Sequence, residues 1–140
     1  MLKVENLVVR YGMIEAIKGI SFEVSDGEIV TLIGANGAGK TTTMHAISGL
    51  VKAASGSITL DGVDLLKTPG HKIISLGLAQ VPEGRRVFAQ QTVEENLILG
   101  AYVRRDREKI AADMEYVYDN NGIEIKAVYR NEEINTVFIP

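Results

Sequence analysis

Residues 27–43, GEIVTLIGANGAGKTTT, decide how the rest of the chain is read. Within them 29–33 (IVTLI) is apolar but for one Thr, which suits a strand covered on both faces and predicts a central, parallel strand. Residues 34–39 form a glycine-rich turn. From 40 to 50, Met44, Ile47 and Leu50 fall three apart, which predicts a helix closed near Gly49. Strand, loop and helix thus frame Gly34-Ala35-Asn36-Gly37-Ala38-Gly39-Lys40-Thr41, which satisfies G-x-x-x-x-G-K-[ST]. Gly34, Gly37 and Gly39 are expected to take positive φ and to let amide N–H groups approach phosphate oxygens with no Cβ in the way. The helix start adds unpaired amides and the positive end of its dipole, Lys40 can reach the β and γ phosphates, and Thr41 is placed to ligate Mg²⁺. A chance turn would need strand, glycine spacing, Lys and hydroxyl to coincide. The pattern therefore points to a nucleoside triphosphate.

Upstream, 2–10 (LKVENLVVR) and 17–24 (IKGISFEV) carry β-branched and apolar residues near period two, with Asp26-Gly27 as a turn after the second, and predict antiparallel sheet. Downstream, 57–60 (SITL) and 63–66 flank Asp61-Gly62 and predict a hairpin. Asp61 also resembles the acid that ends a buried strand in nucleotide hydrolases, but the hairpin dipeptide favours the turn. A short helix is expected over 72–76, and 77–81 (GLAQV) is a candidate parallel strand ended by Pro82. Thr92-Val93-Glu94-Glu95 matches the capping box and predicts a helix to about Val103, with Asp106 available to cap the next. Ile110, Met114, Val117 and Tyr118 then form an amphipathic stripe that reads as core packing. Beyond 120 two alternating runs, 123–129 and 134–139, surround a polar turn and predict a hairpin tail.

The 140 residues are 46% hydrophobic and 24% charged, with no Cys. These values exclude a disordered, disulfide-built or thiolate-metal protein, and the length predicts one core. Fifteen Lys+Arg against eighteen Asp+Glu give a net charge of −3, so no global positive field collects nucleic acid or anionic lipid. His45 and His71 are far apart and lack a Cys partner, which argues against a histidine metal site. No apolar run approaches the ~20 residues a membrane span needs, and MLKVENLVVR lacks a signal-peptide core. A cytoplasmic chain without direct membrane insertion is expected.

In the three stretches GEIVTLIGANGAGKTTT (27–43), ISGLVKAASGSITLDGVDL (47–65) and VFAQQTVEENL (87–97), the sequence resembles the ATP-binding cassette (ABC) transporter ATPases. Within that family QVPEGRRVF (80–88) is most similar to the ATP-binding subunit of branched-chain amino acid importers, of the F-subunit type in the leucine, isoleucine and valine system. The resemblance covers about residues 2–116. It implies an α/β fold, the N-terminal half of an ABC-type P-loop NTPase, with an antiparallel β subdomain, a partial parallel core and the hairpin-like tail. Residues 1–119 would be a partial nucleotide-binding domain and 120–140 an unmatched tail. It also implies Mg-ATP as ligand. Tyr11 in RYG matches the aromatic residue that stacks on adenine, and Gly34, Asn36, Gly37, Ala38, Gly39, Lys40, Thr41 and Thr42 match the phosphate loop. Glu83 falls where most cassettes carry a Mg²⁺-contacting glutamine, so Thr41 and Glu83 are the metal candidates, and Gln80 is three residues too early. A carboxylate at that position can bind Mg²⁺ but, when ionised, donates no hydrogen bond. Arg85 and Arg86 read as surface charge or as residues facing the permease.

Membrane permease subunits and a second ATPase subunit are the implied partners, through the 83–105 region, at the inner membrane. The family's Leu-Ser-Gly-Gly-Gln signature, second acidic strand and switch histidine do not occur in these 140 residues. Hydrolysis is accordingly expected to be lost or very slow. Two alternatives stay open: a truncated or recombined product without hydrolysis, and a small P-loop kinase with Arg104, Arg105 and Arg107 as lid residues. The tail runs are expected either to patch the exposed sheet or to pair with each other.

Overall fold

A computed structural model describes residues 1–84 and 86–119 and the backbone of 137–138. It divides into two compact units, 1–81 with 135–140, and 82–134. In the first, β1 (Leu2–Tyr11) and β2 (Ile14–Val24) form an antiparallel hairpin, and β3 (Ser55–Leu60) and β4 (Val63–Asp64) form a second. The two join in one sheet of order β2-β1-β3-β4, with Leu2 opposite Val24 on one side and Leu60 on the other. Both antiparallel expectations hold. Asp61 (φ +48°) and Gly62 (φ +81°) make the bend of the second hairpin, so Asp61 is a turn residue.

Along β1 the buried positions are Leu2 and Val4, then Leu7 and Val9. The alternation changes parity because the register shifts between Val4 and Leu7, where Asn6 sits at φ +47° and gives its amide to Ser21 Oγ at 2.8 Å. One inserted residue thereby returns both halves of the strand to the core face. Gly56 crosses this bulge so closely that a Cβ there would lie 2.5 Å from the Asn6 oxygen. Behind the sheet lies α1 (Lys40–Ile47), whose Ala46 and Ile47 join Ile17, Ile58, Leu60, Leu65 and Ile73 in the core.

α1 ends three residues before the expected 50, at Ser48 and Gly49 (φ +73°), and leaves Leu50 70% exposed and off the buried stripe. The helix expected at 72–76 appears as α2 (Gly70–Ile73) with a 3₁₀ turn Ile74–Leu76.

Two strand expectations are corrected. Residues 29–33 carry no strand pairing, and Ile29 and Ile33 are 80% and 93% exposed. An apolar run becomes a central strand only when both edges find hydrogen-bonded neighbours, and none flanks it among the described residues. The 77–81 segment is reduced to β5 (Ala79–Gln80), and it is antiparallel to β6 (Val137–Phe138). No parallel pair occurs among the described strands. Apart from β6, both tail runs lie outside the described residues.

In the second unit α3 (Val93–Gly100) opens on the expected capping box: Thr92 Oγ1 accepts the Glu95 amide at 3.2 Å and Glu95 accepts the Thr92 amide at 2.7 Å. Hydrogen bonds from the Thr92 amide and hydroxyl hold the Glu95 carboxyl below its usual range. α3 stops at Gly100, and turns carry the chain on to Val103. In α4 (Arg107–Asp119) Ile110, Met114 and Val117 are half-buried while Tyr118 is exposed, so the stripe packs more thinly than a core helix. Asp106 precedes this helix, with its carboxylate held by Arg104 at 2.7 Å. No described helix is long and apolar enough to cross a membrane.

Candidate functional site

The 34–41 loop forms a turn at Asn36-Gly37 and enters α1 through Gly39. Gly37 and Gly39 have φ of +85° and +87°, as their place in an anion-binding loop predicts. Gly34 does not take positive φ. It is needed for a different reason, since a Cβ there would come within 3.0 Å of the Ala38 Cβ and crowd the loop across its width. Gly39 is confined from outside, where a Cβ would strike Ile17 Cδ1 and lie 2.9 Å from the Ala16 carbonyl oxygen. The β1–β2 hairpin therefore buttresses the phosphate loop through Ala16 and Ile17, two residues that no motif marks.

The loop is also tied internally. Ala38 N–H donates to the Ala35 carbonyl at 3.0 Å, which closes the turn on itself. Lys40 Nζ donates to the Gly34 and Ala35 carbonyls at 2.6 and 3.1 Å and lies along the loop's own backbone. α1 has no side-chain cap and no acidic residue in its first turn, so no carboxylate of that turn competes for its N-terminal partial charge. Thr41 and Thr42 are half-buried in that first turn.

These features fit a triphosphate: small residues where the backbone must approach, an ammonium at the loop, and a helix start free of acid. The donor chemistry of the loop fits Mg²⁺ as well, because the Thr41 hydroxyl is a hard oxygen ligand.

The other expected site residues are placed as follows. Tyr11 is the last residue of β1, half exposed beside the fully exposed Met13 at the hairpin tip. Asn36 and Ala38 lie exposed on the loop. Glu83 belongs to the second unit, where its carbonyl accepts from Arg86 Nε at 3.3 Å. Arg85 is outside the described residues. Gln80 is turned to a different task, with its Oε1 2.5 Å from Ser48 Oγ at the far end of α1.

A family described as "ABC transporter" matches residues 17–135, a range that runs past the residue near 116 where the motif resemblance stops. The chain is similar to the high-affinity branched-chain amino acid transport ATP-binding protein BraG of Pseudomonas aeruginosa, at 45% identity over 119 residues, covering 85% of this chain and 51% of BraG. It is also similar to LivG, of the same description, from Salmonella typhimurium, at 38% identity over 102 residues, covering 73% of this chain and 40% of LivG. Among solved structures, the dimeric bacterial ABC transporter cassette MJ0796 superposes with a TM-score of 0.70 at 22% identity, over 82% of this chain and 55% of that one, and speaks for the fold. The chain spans about half the length of the curated relatives it matches.

Proposed function

The chain belongs to the ABC transporter family, and from that premise we propose that it binds Mg-ATP as part of the ATPase subunit that powers branched-chain amino acid import. The observation that carries this reading is the acid-free start of α1 behind Gly39, with the Lys40 ammonium folded back on the loop. Gly34, Asn36, Gly37, Ala38, Gly39, Lys40, Thr41 and Thr42 would enclose the phosphates. Thr41 would hold Mg²⁺, and Tyr11 would stack on the adenine, worth on the order of 1 kcal/mol beyond area burial. When bound, the metal neutralises charge on the β and γ phosphates. The chain's own share is to fix donors around them in advance.

Partners follow from the same premise. Membrane permease subunits and a second ATPase subunit would complete the assembly on the cytoplasmic face of the inner membrane, with the 83–105 region toward the permease. Residues 1–119 would act as the nucleotide-binding part and 120–140 as a separate tail. Hydrolysis and transport are proposed for the whole protein, and nucleotide binding for these residues.

Titration calorimetry with Mg-ATP tests the reading. Heat of binding that Lys40→Ala abolishes supports it, and native protein that takes up no adenine nucleotide overturns it.

A further inference from the structure

Among the described residues Thr43 is the one polar side chain buried with the core, at 2% exposure. Its hydroxyl donates to the Gly39 carbonyl at 2.9 Å, and its amide donates to the same oxygen at 2.8 Å. Helical Thr residues commonly make such a bond one turn back. What distinguishes this one is the peptide on which it acts. The Gly39–Lys40 peptide unit is planar and trans, so its C=O and N–H point in opposite directions. Drawing the Gly39 oxygen down along α1 therefore aims the Lys40 amide out of the helix start, toward the loop. The Thr43 amide holds this oxygen as an ordinary helix bond, and the hydroxyl adds a second anchor to a peptide that follows a residue at φ +87° with no side chain of its own.

We propose that Thr43 is a positioning residue of the phosphate site: its buried hydroxyl holds the Gly39–Lys40 peptide so that the Lys40 amide is set for a phosphate oxygen before ligand arrives. Thr43 itself touches no phosphate. The benefit is preorganisation, because a donor already aimed loses less freedom on binding. The inference rests on the nucleotide-binding reading above and adds to it a residue whose chemistry faces the core.

The test compares ADP and ATP affinities by calorimetry. Thr43→Val keeps volume and removes the hydroxyl; the loss of one such hydrogen bond corresponds to about three- to tenfold weaker binding of both nucleotides. Thr43→Ser restores the hydroxyl and is expected to return within about twofold of the wild type, although its lost methyl lowers the melting temperature. The ¹⁵N–¹H resonance of the Lys40 amide in ligand-free protein is expected to shift in the Val variant and not in the Ser variant. Should Thr43→Val fail to fold, Thr43→Ala against Thr43→Ser makes the same comparison, since those two differ by the hydroxyl alone. Wild-type affinity in the Val variant, or affinities that follow melting temperature regardless of the hydroxyl, overturns the role of Thr43 while Lys40→Ala still abolishes binding. If Lys40→Ala binds like wild type, the phosphate site itself falls.

Discussion

The Lys40 ammonium donates to the Gly34 carbonyl at 2.6 Å, so the motif's lysine reaches back to the loop's first glycine. A phosphate oxygen is the other acceptor that could satisfy this charge. Lys40→Ala removes the donor to both. At ATP a hundredfold above its dissociation constant the wild type should gain ~2.7 kcal/mol against unfolding, and the variant nothing. Thermal unfolding with and without Mg-ATP measures it. A full ligand shift in Lys40→Ala would place the nucleotide elsewhere.

Gly39→Ala is expected to damage both fold and binding. Alanine would have to adopt φ +87° while its Cβ lay 2.9 Å from the Ala16 oxygen. Backbone strain of this kind costs roughly 1–3 kcal/mol, and the contact adds to it. Urea denaturation should show a lowered midpoint at unchanged slope. By contrast Gly37→Ala, whose Cβ meets nothing within 4 Å, should suffer from φ alone.

The loop, both antiparallel hairpins and the Thr92 cap were legible because each depends on neighbours in sequence: glycine spacing, a turn dipeptide, a hydroxyl three residues before a carboxylate. Residues 29–33 were misread for the opposite reason. Their composition records two covered faces, but pairing requires partners distant in the chain, and Ile29 and Ile33 have none among the described residues. Gly34 lacks the positive φ that its spacing predicts, and its constraint is the Ala38 methyl, which no local φ signal carries. Ala16, Ile17 and Thr43 carry no motif at all. Only the fold brings a β2 carbonyl and a core hydroxyl to the same glycine.

Thr92→Ala should lower the stability of α3 by about 1 kcal/mol, the usual effect of losing an N-cap oxygen. Glu95 would keep its own reach to the Thr92 position's amide, so half of the capping box survives. Chemical denaturation of wild type and variant checks the figure, and amide exchange at Glu95, whose N–H loses its acceptor, checks the cause.

The α3–α4 corner is expected to be acid-sensitive. Hydrogen bonds from Arg104 hold the Asp106 carboxyl at about 2, below its ordinary 3.8. A depressed carboxyl contributes stability that is fully present above the unfolded value and fades as pH falls toward the folded one. Helical signal from this corner should therefore decline between about pH 4 and pH 2. Asp106→Asn should flatten that limb of the acid titration and lower stability above pH 5, where the wild-type carboxylate is ionised and paired with Arg104. Identical titrations for the two proteins would remove Asp106 from the account.

Ile29 and Ile33 present 80% and 93% of their surface, on a segment with no strand pairing among the described residues. Exposed apolar side chains on an extended segment are a template for association between chains. The 140-residue chain should accordingly self-associate as its concentration rises, by light scattering or sedimentation velocity. Ile29→Lys places a charge on the segment five residues before Gly34 and so outside the phosphate loop. It should weaken association and leave ATP affinity within about twofold of wild type, since no loop donor is altered. Were the variant to associate as strongly as the wild type, the contact surface would lie on another face; were it to lose nucleotide binding, the apolar segment would be supporting the loop from beneath.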